Sequence, residues 1–165
     1  MIENYTDRAK KLSVQKEIYS LIPNKTTFIG LCGPNPIEYL KKIDYRRFVN
    51  VIFYETNLKV YNSIIEQLGS DYPSVKVYNK SINSKLGRTK AFYDLDYCRT
   101  LNDVRVYLDK ISKIEDFSIT FCTRNFTLES TLKILASHLG HQSFRHWSYK
   151  DGSPMVSILV SKKLF

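Results

Sequence analysis

A chain of 165 residues fits one domain, and its three cysteines, with no Cys-x-x-Cys spacing, exclude a disulfide scaffold and a standard zinc site. No apolar run approaches the roughly 20 residues that span a bilayer, and the opening residues are too polar for a secretory leader, so a soluble cytoplasmic protein without membrane contact is expected. The net charge of +9 with 13% aromatic residues points to a polyanionic partner, nucleic acid first, although a Lys-, Asn- and Tyr-rich composition also follows from an AT-rich genome.

A leading helix is predicted over about residues 5–20, with Ala9, Leu12 and Ile18 on a polar ground. The apolar run Thr26 to Cys32 reads as the first strand. Gly33-Pro34-Asn35-Pro36 is a turn in which Asn35 caps a helix and Pro36 opens it, where a missing N–H costs nothing. Ile37, Leu40 and Ile43 recur at helical spacing. Val49 to Tyr54 is apolar without alternation, the pattern of a strand buried on both faces of a parallel sheet. Leu58, Tyr61, Ile64, Ile65 and Leu68 predict a helix ended by Gly69.

Val75 to Tyr78 is the third strand and Ala91 to Leu95 the fourth. The link between them, Lys80 to Lys90, has room for little more than a helical turn. Leu101, Val104, Leu108 and Ile111 predict another amphipathic helix, Phe117 to Cys122 a fifth strand, and Leu128 to Leu139 a helix closed by Gly140. Gln142 to Tyr149 and Met155 to Ser161 read as two strands joined by Lys150-Asp151-Gly152-Ser153-Pro154, where Asp-Gly is a strong hairpin signal. Strands alternating with helices imply an α/β domain with a mostly parallel, doubly wound sheet, helices on both faces and a terminal antiparallel hairpin.

Four segments carry candidate chemistry. Phe28-Ile29-Gly30-Leu31-Cys32-Gly33-Pro34 is a turn after strand one where glycine lets a backbone approach a ligand. Glu55 stands where strand two emerges, a carboxylate able to accept from two hydroxyls at once. Ser81 and Ile82 follow strand three. Phe92-Tyr93-Asp94-Leu95-Asp96-Tyr97-Cys98 runs along strand four and out of its end. Basic residues Arg99, Arg124 and Arg145, with Trp147, fall on or near the segments after strands four and five and in the hairpin. Each also has an ordinary structural reading: turn geometry, a solvated carboxylate at a strand end, or a strand with one packed face. The cysteines at the ends of strands one, four and five, and the histidines crowded into residues 138–146, make a metal site conceivable, but buried small thiols and a basic aromatic surface are the commoner outcome, and no metal is assigned.

Over about residues 26–162 this layout resembles the class I S-adenosylmethionine-dependent methyltransferases. The resemblance implies one Rossmann-like domain with seven strands in the order 3-2-1-4-5-7-6. It implies S-adenosylmethionine bound by Gly30, Cys32, Gly33, Pro34, Glu55, Ser81, Ile82 and Asp94, with Glu55 on the ribose hydroxyls. The sequence departs from the family's first motif at Ile29, where an acid is usual, and at Leu31 and Asn35, where glycine is usual. Asp96-Tyr97 looks like a shortened form of the acidic-Pro-Pro-aromatic motif of amino-methylating members, and the segment is similar to the Asp-Leu-Asp-Pro-Phe type of tRNA guanine methyltransferases. The resemblance therefore gives Asp96 the orientation of a methyl acceptor and Tyr97 packing against it, with Arg99, Arg124, Arg145 and Trp147 gripping a nucleic-acid substrate. The runner-up is a methyltransferase-like fold without catalysis that binds nucleic acid or protein. A protein partner or self-association stays open, and an NAD-binding protein is the weakest reading because no Gly-x-Gly-x-x-Gly follows strand one.

Overall fold

The computed structural model describes residues 2–86, 90–140 and 144–161. The strands among these residues are β1 (Thr27–Gly30), β2 (Asn50–Tyr54), β3 (Val75–Tyr78), β4 (Phe92–Thr100), β5 (Asp116–Cys122), β6 (Phe144–Lys150) and β7 (Pro154–Ser161). They form one sheet in the order β3-β2-β1-β4-β5-β7-β6. That is the order the resemblance implies, with a mostly parallel set closed by an antiparallel hairpin. By contacts the chain gathers into two units, residues 22–94 and residues 1–21 with 95–165.

In the unit of residues 22–94, β1 pairs in parallel with β2 and with the start of β4, and β2 pairs in parallel with β3. Two helices, α2 (Pro36–Ile43) and α3 (Leu58–Leu68), connect these strands. The core is aromatic: Phe28 packs against Phe48, Phe92 and Tyr39, and Tyr39 meets Phe53 edge-on. Pro36 opens α2 as predicted, but the Asn35 side chain makes no capping bond; only its carbonyl accepts, from the Tyr39 N–H at 3.1 Å. Asn57 is the side-chain cap of α3, accepting from the N–H groups of Lys59 and Val60. Gly69 ends α3 at φ 52°, a backbone region that glycine enters without a Cβ penalty. Among the described residues, the link after β3 holds a 3-10 turn, Ile82–Ser84, close to the one turn expected.

In the other unit, β7 runs antiparallel to both β5 and β6. The leading helix α1 (Ile2–Leu21) packs on β6, burying Val14, Gln15, Ile18 and Tyr19, whereas Leu12 stays exposed. The predicted helix over Leu101 to Ile111 is two short ones, α4 (Leu101–Arg105) and α5 (Leu108–Ile111). All four expected apolar positions are buried, yet the Tyr107 N–H donates to the Val104 carbonyl at 2.8 Å, three residues back, which ends α4. The freed Tyr107 ring stacks on Tyr97. The helix α6 (Leu128–Leu139) is capped by Thr127 and closed by Gly140. Gln142, expected at the start of β6, lies outside the described residues.

The largest correction concerns β4, which runs to Thr100 rather than stopping at Leu95. Asp96 and Tyr97 are therefore strand residues, as Asp94 was expected to be, and not a loop beyond the strand. Carboxylates are tolerated within a sheet when partners compensate their desolvation. Asp94 has the Tyr39 hydroxyl and Asp96 has the Lys11 ammonium.

Candidate functional site

The cofactor-side candidates lie in the unit of residues 22–94. Gly30 ends β1 opposite Asp94 of β4. A Cβ on Gly30 would stand 2.9 Å from the Tyr39 hydroxyl and 3.0 Å from the Phe28 ring, so glycine here makes room for Tyr39. That hydroxyl donates to the Asp94 carboxylate, which is only 4% exposed. Gly33 has φ +61°, and a Cβ there would meet no atom within 4 Å. Its need for glycine is therefore conformational, and the turn it makes with Pro34 leaves open space. Cys32 beside it is buried and its thiol reaches the Gly33 carbonyl at 3.4 Å. Burial pushes that thiol up to about 12, and the charge of Glu55 adds to the shift.

Glu55 is half-buried at the carboxyl end of β2. Its N–H bonds the Tyr78 carbonyl at 3.0 Å, and its Oε1 accepts from the Asn57 N–H at 2.7 Å. Asn79, just after β3, donates to the Glu55 carbonyl at 2.8 Å and to the Thr56 carbonyl at 3.3 Å. The backbone around Glu55 is thus fixed from two sides, while Oε2 has no partner among the described residues. Ser81 accepts from the Asn83 N–H at 3.3 Å as the cap of the 3-10 turn, and Ile82 is buried beneath it.

The acceptor-side candidates lie in the other unit. Here a groove of about 520 Å³ opens where β4 and β5 end and β7 begins, within the usual size range of ligand sites. Arg99, Arg124, Lys11, Thr100, Cys122 and Asp151 are among its lining residues. Arg124 donates to the Ser153 hydroxyl at 2.8 Å. Thr100 and Asp103 form a reciprocal capping box at the start of α4. Those bonds from Thr100, first its side chain and then its backbone, hold the Asp103 carboxyl below the usual range, with the charge of Arg99 contributing less. Lys11 lies 3.5 Å from both Asp96 and Asp151, tying α1 to β4 and to the β6–β7 turn.

Tyr97 does not line this groove. Its ring lies parallel to that of Tyr107, centroids 6.3 Å apart, and burial pushes its hydroxyl well above the usual range. Arg145 and Trp147 are elsewhere again. Arg145 sits opposite Leu159, which sits opposite Ser118, four residues back along β5 from the groove-lining Cys122. Both turn to Glu17 of α1, the Trp147 indole donating at 3.1 Å and the Arg145 guanidinium at 3.4 Å. Of the four substrate-side candidates, the fold brings Arg99 and Arg124 together and sets Arg145 and Trp147 apart as a second cluster. Lys11, Tyr39 and Asn79 were not marked as site residues by the sequence. The Thr-x-x-Asp spacing of Thr100 and Asp103 is the signal that could have been read. Among the described residues no group of three His, Cys, Asp or Glu side chains could hold a metal ion, and no helix is long and apolar enough to cross a membrane. His138 pairs with Asp109 and His146 is exposed on β6; His141 lies outside the described residues.

The strand order, the β1–β4 reversal and the terminal hairpin define the class I methyltransferase fold. The sequence matches no protein-family model and no curated protein. Solved structures do match. The methyltransferase domain of bacterial CtHen1 superposes with a TM-score of 0.65 at 11% identity, over 93% of this chain and 98% of that one. The N-methyltransferase NodS of Bradyrhizobium japonicum WM9 gives 0.61 at 9% identity, over 96% and 97%. A chain of the Pnkp1/Rnl/Hen1 RNA repair complex gives 0.63 at 11% identity, over 91% of this chain and 41% of that one. At such identities the likeness establishes the fold.

Proposed function

We propose that this protein transfers a methyl group from S-adenosylmethionine to a nucleic-acid acceptor. The observation that carries the reading is Glu55: a carboxylate locked in place at the carboxyl end of β2, with Oε2 open, in a fold whose ligands lie beyond the carboxyl ends of the strands. The residues fit the nucleoside end of that cofactor. Glu55 would accept from the ribose hydroxyls, Ile82 and Ser81 would border the adenine, and the open Cys32-Gly33-Pro34 turn would pass its backbone close to the methionine portion. When bound, the cofactor supplies an electrophilic methyl carbon, so the chain's own task is alignment and charge placement. Arg99 and Arg124 would hold phosphates of the acceptor. Asp96 would accept a hydrogen bond from the acceptor's N–H or O–H, taking it over from Lys11, and Tyr97 would support that wall through its stack on Tyr107.

The second reading is a fold of this class that has lost catalysis and binds nucleic acid or protein. Two observations favour it: Ile29, Leu31 and Asn35 replace the first motif's acid and glycines, and Asp94 is engaged by Tyr39. Calorimetry with S-adenosylmethionine, its demethylated product and NAD separates cofactor preference from none. Glu55→Ala is expected to weaken binding by about 1–3 kcal/mol, the scale of hydrogen bonds to a charged group. Labelled cofactor is then incubated with total RNA, DNA and protein in separate tubes. Label in a nucleic-acid pool that disappears in Asp96→Ala, with cofactor affinity kept, supports the enzyme. Confirmed cofactor binding with no label in any pool supports the binding module.

A further inference from the structure

The parallel pairing of β1, β2 and β3 gathers their lead-in segments at one end of the strands, the end opposite Gly30 and Glu55. The registers align Thr27 with Asn50 and Val51 with Val75, so these segments lie side by side. Backbone bonds join them: Lys25 N–H to the Arg47 carbonyl at 2.8 Å, Val49 N–H to the Thr26 carbonyl at 3.1 Å, and Val51 N–H to the Ser74 carbonyl at 3.1 Å. With strands of four or five residues at about 3.3 Å each, this end lies about 15 Å from Glu55.

What these segments display is unusual for plain connections. Tyr45, in the 3-10 turn Tyr45–Arg47, meets Tyr72 with ring centroids 5.5 Å apart, and both rings stay partly in solvent. The exposed Arg46 guanidinium lies 5.9 Å from the Tyr45 ring centroid. Lys25 is exposed too, held at φ 61° in a tight turn, and Lys41 and Lys42 close the last turn of α2. Asp44 and Asp71 are the carboxylates of these segments; among the described residues neither forms an ion pair with Lys25 or Arg46, although the charge of Asp44 acts on Arg46, whose side chain is bonded first to Tyr45. Arg47, by contrast, is spent internally on Asn24 and the Ile22 carbonyl. Val49 adds apolar surface, 55% exposed. Exposed cations around a pair of accessible rings are what an unpaired base and its flanking phosphates require.

We propose that Lys25, Tyr45, Arg46 and Tyr72 form a binding face for single-stranded nucleic acid, stacking a base on the tyrosine pair and taking adjoining phosphates on the two cations. This face shares no residue with the Arg99–Arg124 groove and does not depend on the methyl-transfer reading.

The test is fluorescence anisotropy of the full chain with labelled 15-nucleotide oligo-dT and oligo-U across a salt series, with inorganic polyphosphate as a base-free competitor. Tyr45→Ala with Tyr72→Ala is expected to weaken oligonucleotide binding at least about five-fold and to leave polyphosphate competition unchanged. Tyr45→Phe with Tyr72→Phe keeps the rings and is expected to retain binding, which guards against a folding artefact. Lys25→Gln with Arg46→Gln is expected to weaken both ligands and to flatten the salt slope by about 1.4, two phosphates' worth. Native affinity and slope in the alanine and glutamine pairs would overturn the proposal. So would complete loss of binding in Arg99→Gln with Arg124→Gln, which would put the strand in the groove, or equal losses of oligonucleotide and polyphosphate in the alanine pair.

Discussion

Tyr39 and Asp94 illustrate how one missing Cβ organises a site. Because Gly30 has no side chain, the Tyr39 hydroxyl can cross its face and donate to a buried carboxylate. Tyr39→Phe removes one donor from a buried carboxylate, so a loss of about 1–3 kcal/mol is expected in urea unfolding. A stability unchanged within error would mean that the pair contributes nothing net. Cys32 gives a pH-dependent expectation. Burial pushes its thiol up from the ordinary 9.0 to about 12 in the fold. The folded state therefore holds the proton more tightly, and stability present below pH 9 should fall as pH rises from 9 toward 12. Denaturation midpoints measured across that range, in native protein and in Cys32→Ala, should show a smaller alkaline loss in the variant. At neutral pH, peptide-mapped alkylation should mark the groove-lining Cys122 well before Cys32.

Elements were legible where local pattern and burial agree. The run of α3 positions and the stops at Gly69 and Gly140 follow from helical spacing and from backbone conformations glycine enters freely. Asn57→Ala is expected to cost about 1 kcal/mol in thermal or urea unfolding, because two N–H groups at the start of α3 lose their acceptor. The same substitution at Asn35, whose side chain caps nothing, should be close to neutral. The length of β4 was not legible, because two carboxylates, Asp94 inside the expected strand and Asp96 just beyond it, read locally as a strand end. Their compensation comes from Tyr39, 55 residues away, and from Lys11 on α1, and no local pattern displays such partners. The same limit applies to the site. Arg99 and Arg124 share a groove because β4 and β5 are neighbours, whereas Arg145 and Trp147 fall beside Glu17 because of the register of β6 on β7. Register is set by pairing partners, so basic residues grouped by sequence position divide into two places in the fold.

At the scale of the whole molecule the net charge is +9. The groove mixes Arg99, Arg124 and Lys11 with Asp103 and Asp151, so its own excess is small. If nucleic acid is the partner, log affinity should fall linearly with log salt, with a slope that counts the phosphates neutralised. An oligonucleotide affinity indifferent to salt between about 50 and 200 mM would count against phosphate contact altogether. A different consequence follows from the sheet order and from where α1 rests. Residues 22–94 are contiguous, so every strand partner within this part has been made by residue 94. The remainder differs: β5 and β6 meet only through β7, and α1 packs on β6. During translation at roughly 5–20 residues per second, α1 waits on the order of ten seconds for the strand that covers Val14, Ile18 and Tyr19.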